Sequence, residues 1–212
     1  MAENPTRGDT HRRIRTRAPK ETTLKREQIL EATEKVLRRY GPAKASVVDV
    51  ARVLGVTHGA VYRHFPSKAA LREAVTRQWI ERNHEGLAEL ADDRALAASE
   101  RLRHWLVTVF EAKRTPAVED PELFETYYTL LKDQSDVVAD HVNDLLAQIE
   151  TIIREGMAGG EFREGDPRRL ARAVFDATSR FHHPAHAGEW QSASLEEERD
   201  MLFSLLIRCL EP

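Results

Sequence analysis

The chain has 212 residues, 41% of them hydrophobic, 32% charged and 7% aromatic, which is enough apolar material for a buried core and excludes disorder over the whole length. With 10 Gly and 9 Pro it is too poor in turn formers for a turn-rich all-β, collagen-like or low-complexity chain. The net charge of −3 hides a split: residues 1–80 carry 17 Lys and Arg against 8 Asp and Glu, and residues 81–212 carry 15 against 27, as expected of a nucleic-acid-binding segment joined to a non-binding body, or of ordinary solvated surfaces.

Residues 1–22 hold Arg7, Arg12, Arg13, Arg15, Arg17 and Lys20 with almost no apolar side chains, and read as a flexible basic arm. Such an arm either tracks DNA phosphates or does nothing specific. From Leu24, apolar positions at Ile29, Val36, Leu37 and Tyr40 recur every three or four residues, predicting a first helix that Gly41-Pro42 stops. Ser46 opens S-V-V-D, a capping-box-like start for a short second helix ended by Gly55. Thr57 caps a third short helix to Phe65, and Ser67 caps a long fourth one.

The body also reads as helix. Leu102, Trp105, Leu106, Val109 and Phe110 form one stripe; Asp120-Pro121 starts a helix with Phe124, Tyr127, Tyr128 and Leu131 inward; Val138, Val142, Leu145, Ile149 and Ile152 form the next. Asp166-Pro167 opens a helix that Pro184 ends, and Ser194 with Glu197 form a capping box for the last. The prediction is an all-α chain of about nine helices, divided into the arm (1–22), a helix-turn-helix domain (23–70) and a helical regulatory and dimerisation domain (71–212).

In A-R-V-L-G-V-T-H-G-A-V-Y-R-H-F, Ala51, Gly55 and Val61 are the small residue, turn glycine and apolar wedge of a helix-turn-helix. The face left outward carries Thr57, His58, Gly59, Tyr62 and Arg63, hydrogen-bonding and stacking groups with one glycine that admits a close backbone approach. Arg63 is the expected base-reading residue, because its fork pairs bidentately with guanine. Lys68 places a cation at a helix N-terminus, where it suits a phosphate oxygen. Tyr62 and His64 fit either phosphate contacts or packing.

From Glu27 to Leu71 the chain resembles the TetR family of bacterial transcriptional regulators, carried by I-L-E-A-T-E-K-V-L-R-R-Y-G and S-V-V-D-V-A-R-V-L-G-V-T-H-G-A-V-Y-R-H-F-P-S-K-A-A-L. The resemblance implies a three-helix DNA-binding domain on a helical body, acting as a homodimer on a near-palindromic double-stranded operator, usually as a repressor released by a small ligand. It implies that Thr57, His58, Tyr62 and Arg63 face the major groove, that Tyr62, His64 and Lys68 lie near phosphates, and that Ser46 joins the DNA-facing set. His58 and Arg63 are not dictated by the family pattern, and Val48 stands where some members carry a base-reading Arg, so the operator sequence does not carry over.

The resemblance also implies a four-helix dimer interface from the last two long helices, with Phe175, Phe181, Leu202 and Leu206 as candidates. A ligand cavity is expected among the middle helices, where Trp105, Phe110, Phe124, Tyr127, Tyr128 and Ile149 are either its lining or plain core. The acid excess of this half fits cationic ligands or simply solvated helix faces. His182, His183 and His186 invite a metal reading, with Asp176 or His141 as a fourth ligand, against the alternative of a helix end.

Cys209, alone, has no internal disulfide partner and reads as a small buried hydrophobe. There is no signal-peptide core and no apolar run near the ~18 residues of a membrane span, so a cytoplasmic protein with no membrane partner is expected. H-E-x-x-H, a Gly-rich phosphate loop, G-x-S-x-G and C-x-x-C are all missing, so neither an enzyme nor a cofactor is expected. Against the ligand-responsive repressor stand a ligand-independent architectural DNA binder and a metal-dependent enzyme built on the histidines.

Overall fold

A computed structural model describes residues 24–212; the predicted basic arm lies outside them. Helix α1 (Arg26–Lys44) buries Ile29, Thr33, Val36 and Leu37 on one face, as their spacing demands. Gly41 takes φ 71° and ψ 168°, so the expected stop is a kink, and Pro42 starts one further turn. Tyr40, expected inward, is exposed under the Arg39 guanidinium.

Local signals set the next three helices. The Ser46 hydroxyl accepts the Asp49 N–H and so caps α2 (Val47–Leu54), which Gly55 ends in the left-handed region at φ 67°. The Val56 N–H then donates to the Ala51 carbonyl at 3.0 Å, closing the turn into α3 (His58–Tyr62). Ser67 accepts the Ala70 N–H at 3.0 Å and caps α4 (Lys68–Asn83).

The body continues with α5 (Leu87–Asp92), α6 (Ala98–Glu119), α7 (Pro121–Lys132), α8 (Ser135–Ala158), α9 (Pro167–Ala177), α10 (Ser179–His182), a 3-10 helix (Pro184–Glu189) and α11 (Leu195–Leu210). Helix α6 is the hub, packed on α5, α7, α8, α10, α11 and the 3-10 helix. Its buried stripe includes Leu102, Trp105, Leu106, Val109 and Phe110, each worth roughly 1.5–3 kcal/mol on transfer from water. Phe110 meets Phe181 edge to face, and Phe181 meets Phe203 likewise, tying α6, α10 and α11 together.

Among the described residues there is no strand, as expected of an all-α chain, but there are eleven α-helices and one 3-10 helix where about nine helices are predicted. The predicted fourth helix ends at Asn83, and Gly86, at φ 83°, starts α5 separately. The helix predicted from Asp166 breaks at Thr178, whose buried hydroxyl donates to the Val174 and Phe175 carbonyls. The Ser194 capping box does not form: Ser194 has helical backbone angles and donates instead to Glu198. Cys209 is exposed, not buried.

The first helices and the body share one core. Trp79 of α4 stacks on Tyr127 of α7 with ring centres 4.6 Å apart. The Tyr127 hydroxyl donates to Glu34 of α1 at 3.3 Å, and Arg82 of α4 donates to the same carboxylate at 2.7 Å. Burial and the Glu34 charge raise the Tyr127 phenol, so it stays a donor. No helix among the described residues is long and apolar enough to cross a membrane.

Candidate nucleic-acid interface and cavity

The helix-turn-helix is a buried frame with an uncommitted outer face. Ala51 and Val61 are buried between α2 and α3, where larger side chains would part the helices. Phe65 is also buried, and the Arg26 guanidinium lies 4.2 Å over its ring, binding the start of α1 to the end of α3. Outward stand Thr57, His58, Gly59, Tyr62 and Arg63, all exposed. Thr57 occupies the N-cap of α3 but its side chain makes no capping bond, which leaves the hydroxyl free. Tyr62 is 42% exposed and meets the His58 ring edge to face.

His64 is half-buried, and its carbonyl accepts a long hydrogen bond from Arg26. Lys68 is exposed at the first turn of α4, its ammonium pKa lowered by partial burial and then by Arg72. Ser46, in the DNA-facing set of the sequence reading, spends its hydroxyl inside the chain: it donates to the Asp49 carboxylate at 2.5 Å while accepting the Asp49 N–H. That hydroxyl holds the Asp49 pKa below the usual carboxylate range, with Arg52 acting the same way.

A second site lies in the body. A cavity of about 550 Å³ opens where α4, α6, α7, α8 and the stretch from Phe175 to Pro184 meet. Ile80, Leu131, Val142, Leu145 and Phe175 make its apolar wall, and Lys113, His141, His182 and His183 its polar one. Of the six aromatic and aliphatic candidates only Tyr128 lines it. Trp105, Phe110, Phe124, Tyr127 and Ile149 are buried in the packed core, because large apolar groups at helical spacing fill interiors before they line voids.

The polar wall is a cluster that the sequence does not announce. The Lys113 ammonium lies 3.4 Å from His141 Nε2, His141 packs on His84 with ring centres 4.5 Å apart, and His84 Nδ1 meets the Ile80 carbonyl at 2.8 Å. Burial pushes Lys113 down to about 8. Burial, then the Lys113 charge, pushes His84 down to about 3 and His141 to about 2. Burial also lowers His182 to about 4. At neutral pH Lys113 is therefore the charged group and the imidazoles are neutral, so His141 Nε2 accepts from Lys113.

Each of the three candidate histidines has a hydrogen-bond partner within the chain. His182 Nε2 donates to the Phe175 carbonyl, His183 Nδ1 accepts the Ala185 N–H, and His186 Nδ1 pairs with Glu189 at 2.8 Å, so the three rings serve three different partners. No group of three or more His, Cys, Asp or Glu among the described residues could hold a metal ion.

The dimer candidates divide. Phe181 is 3% exposed and belongs to the core, since its ring is clamped between Phe110 and Phe203. Phe175 is half-buried and faces the cavity, tilted onto the His182 ring at 4.3 Å. Leu202 and Leu206 are half-buried on α11. The most exposed apolar residues there are Met201 at 69% and Leu205 at 58%, one turn apart; the periodicity puts Leu205 on the apolar side of the helix with Leu195, Leu202, Leu206 and Cys209, and the structure leaves it outward.

Comparison with known proteins bears on both sites. A family model described as bacterial regulatory proteins, tetR family, matches residues 29–75, and one described as tetracyclin repressor-like, C-terminal domain, matches residues 98–203. The chain is 31% identical over 170 residues to the HTH-type transcriptional repressor Rv1474c of Mycobacterium tuberculosis, covering 72% of this chain and 89% of that protein. It is 32% identical over 152 residues to the nucleoid occlusion factor SlmA of Marinobacter nauticus, covering 69% and 74%. With the HTH-type transcriptional regulator TtgR of Pseudomonas putida it shares 27% over 169 residues, covering 75% and 79%. The fold is that of SmeT, the repressor of the Stenotrophomonas maltophilia multidrug efflux pump SmeDEF, at a TM-score of 0.68 and 21% identity over 89% of this chain and 91% of that one. Together the two matched segments take in the helix-turn-helix and most of the helices that enclose the cavity, and the chain belongs to the TetR family of bacterial transcriptional regulators.

Proposed function

We propose that the protein is a homodimeric, sequence-specific repressor that binds a near-palindromic operator and leaves it when a small molecule enters the cavity. Residues 23–70 form the DNA-binding part and residues 71–212 the regulatory and dimerisation part. Thr57, His58, Tyr62 and Arg63 read the major groove, Gly59 admits the DNA closely, and His64 and Lys68 lie at phosphates. The observation that carries this reading is an exposed polar face on α3 whose hydrogen-bonding groups are left unspent by the fold.

Helix α4 is the physical link between the two sites. Lys68 begins it, and Ile80, near its other end, forms part of the cavity wall. A 16-residue helix is about 24 Å long and moves as a rod, so a ligand that displaces Ile80 shifts Lys68 relative to DNA. Binding of effector and of operator then oppose each other through one element. The exposed Met201 and Leu205 extend the Leu202 and Leu206 surface, and support a dimer interface on α11.

Selection of bound duplex from a random pool by full-length protein at physiological salt tests the reading. Enrichment of a near-palindrome is the expected result, and binding without enrichment overturns it. A second reading is a DNA binder that needs no small ligand. It predicts operator binding indifferent to any occupant of the cavity.

A further inference from the structure

Lys113 is 7% exposed, fully inside the body, and none of the ion pairs among the described residues includes it. A buried ammonium is ordinarily paired with a carboxylate, because an unpaired one costs several kcal/mol. Its one hydrogen bond among the described residues, to neutral His141, uses one of three N–H groups and supplies no countercharge. The lining as a whole repeats the pattern. It contains Lys113, Lys132 and three histidines and not one Asp or Glu, although residues 81–212 carry 27 acids against 15 bases. The acids of this half lie on solvated helix faces, so the expectation of a cationic ligand from the acid excess does not hold at the cavity.

The rest of the lining is mostly aliphatic and aromatic, from Ile80, Leu131, Val142, Leu145 and Phe175. The volume, about 550 Å³, is in the range of pockets that enclose a small organic molecule. We infer that the cavity takes an organic monoanion, a carboxylate on an apolar body, whose head group pairs with the Lys113 ammonium while its body lies along Ile80, Val142, Leu145 and Phe175. A single negative charge fits best, because His141 and His182 are neutral and Lys113 is the one buried cation in the lining. The inference rests on the effector reading above and names the chemistry of that effector. Lys132, over the Tyr128 ring at 4.3 Å, adds a second cation to the lining.

Three probes with one body and different heads separate the possibilities: decanoate, 1-decanol and decylamine, titrated calorimetrically into the full-length protein below their aggregation limits. Decanoate is expected to bind at least about ten-fold more tightly than decanol, with decylamine weakest, since a charge-assisted pair is about twice as strong as a neutral hydrogen bond. In Lys113→Met the decanoate preference is expected to vanish while decanol still binds, which shows that the variant is folded. Should that variant fail to fold, the head-group ranking of the unaltered protein decides, and Val142→Phe, which narrows the cavity without touching charge, is expected to weaken all three probes. Equal binding of the three, tighter binding of the alcohol or amine, no binding of any, or a preference that survives Lys113→Met overturns the inference. Operator affinity is followed in the same titrations. Decanoate that binds with the predicted preference but leaves operator affinity unchanged supports the inference and overturns the effector reading; probes that release the operator without regard to head group do the reverse.

Discussion

Gly59 weakens the helix it sits in for no reason internal to the chain. Its φ lies outside the left-handed region, and a Cβ built on it meets only Thr57 Oγ1, at 3.9 Å. Gly59→Ala is therefore expected to stabilise the protein by up to about 0.5 kcal/mol in urea unfolding. It is also expected to weaken operator binding by ten-fold or more, about 1.4 kcal/mol, by fluorescence anisotropy; unchanged binding would remove Gly59 from the interface. Arg63 and Lys68 should separate in the same assay. Lys68→Ala is expected to lower affinity for matched and mismatched sites alike and to reduce the salt slope by about one. Arg63→Ala should relax preference at one position per half-site, by about 1–3 kcal/mol of discrimination. Parallel behaviour of the two variants would mean that they share one role. Ser46 is read from the sequence both as the start of the α2 capping box and as a DNA-facing residue, and its contacts with Asp49 are those of the cap.

Among the elements, α8 gives the opposite glycine. Gly156 packs under Phe162, so that an added Cβ would lie 2.3 Å from Phe162 Cδ2 and 2.9 Å from Ala98 Cβ. Replacing glycine by alanine in a helix gains about 1 kcal/mol, but overpacking a buried ring costs about 1–3 kcal/mol. Gly156→Ala is thus expected to lower the urea midpoint; a raised midpoint would show that Phe162 moves aside freely. Element ends that depend on adjacent residues were legible in the sequence: Asp120-Pro121 and Asp166-Pro167 cap α7 and α9 through their carboxylates, and Gly55 ends α2. Ends without such a signal were not. The break at Thr178 has no Gly or Pro beside it, and the same threonine-to-carbonyl bond made by Thr33 and Thr76 leaves α1 and α4 unbroken.

For the whole molecule, three neutral imidazoles inside one core make stability fall in acid. His84, His141 and His182 are depressed to about 3, 2 and 4, whereas in the unfolded chain they protonate near 6.5. Below pH 6.5 the unfolded state binds more protons, so their contribution is complete above that pH and is lost as pH falls, by up to about 1.4 kcal/mol per unit for each group. His141→Phe is expected to flatten the dependence of unfolding free energy on pH between 6.5 and 4 by about one proton; an unchanged slope would mean that His141 titrates normally. Assembly can be tested on α11, where Met201→Glu with Leu205→Glu is expected to weaken self-association by at least about ten-fold in sedimentation. An unaltered dimer would place the interface elsewhere. What the sequence determined by itself is what neighbouring residues decide: helical period, most caps and stops, the spacing that seats Val61 against Ala51, and the polar face left outside α3. The cavity, the Lys113 cluster and the exposed α11 stripe were decided only by tertiary structure. Residues 84, 113, 141 and 182 lie on or beside four different helices, and no local rule tells a lysine bound for solvent from one that packing closes in.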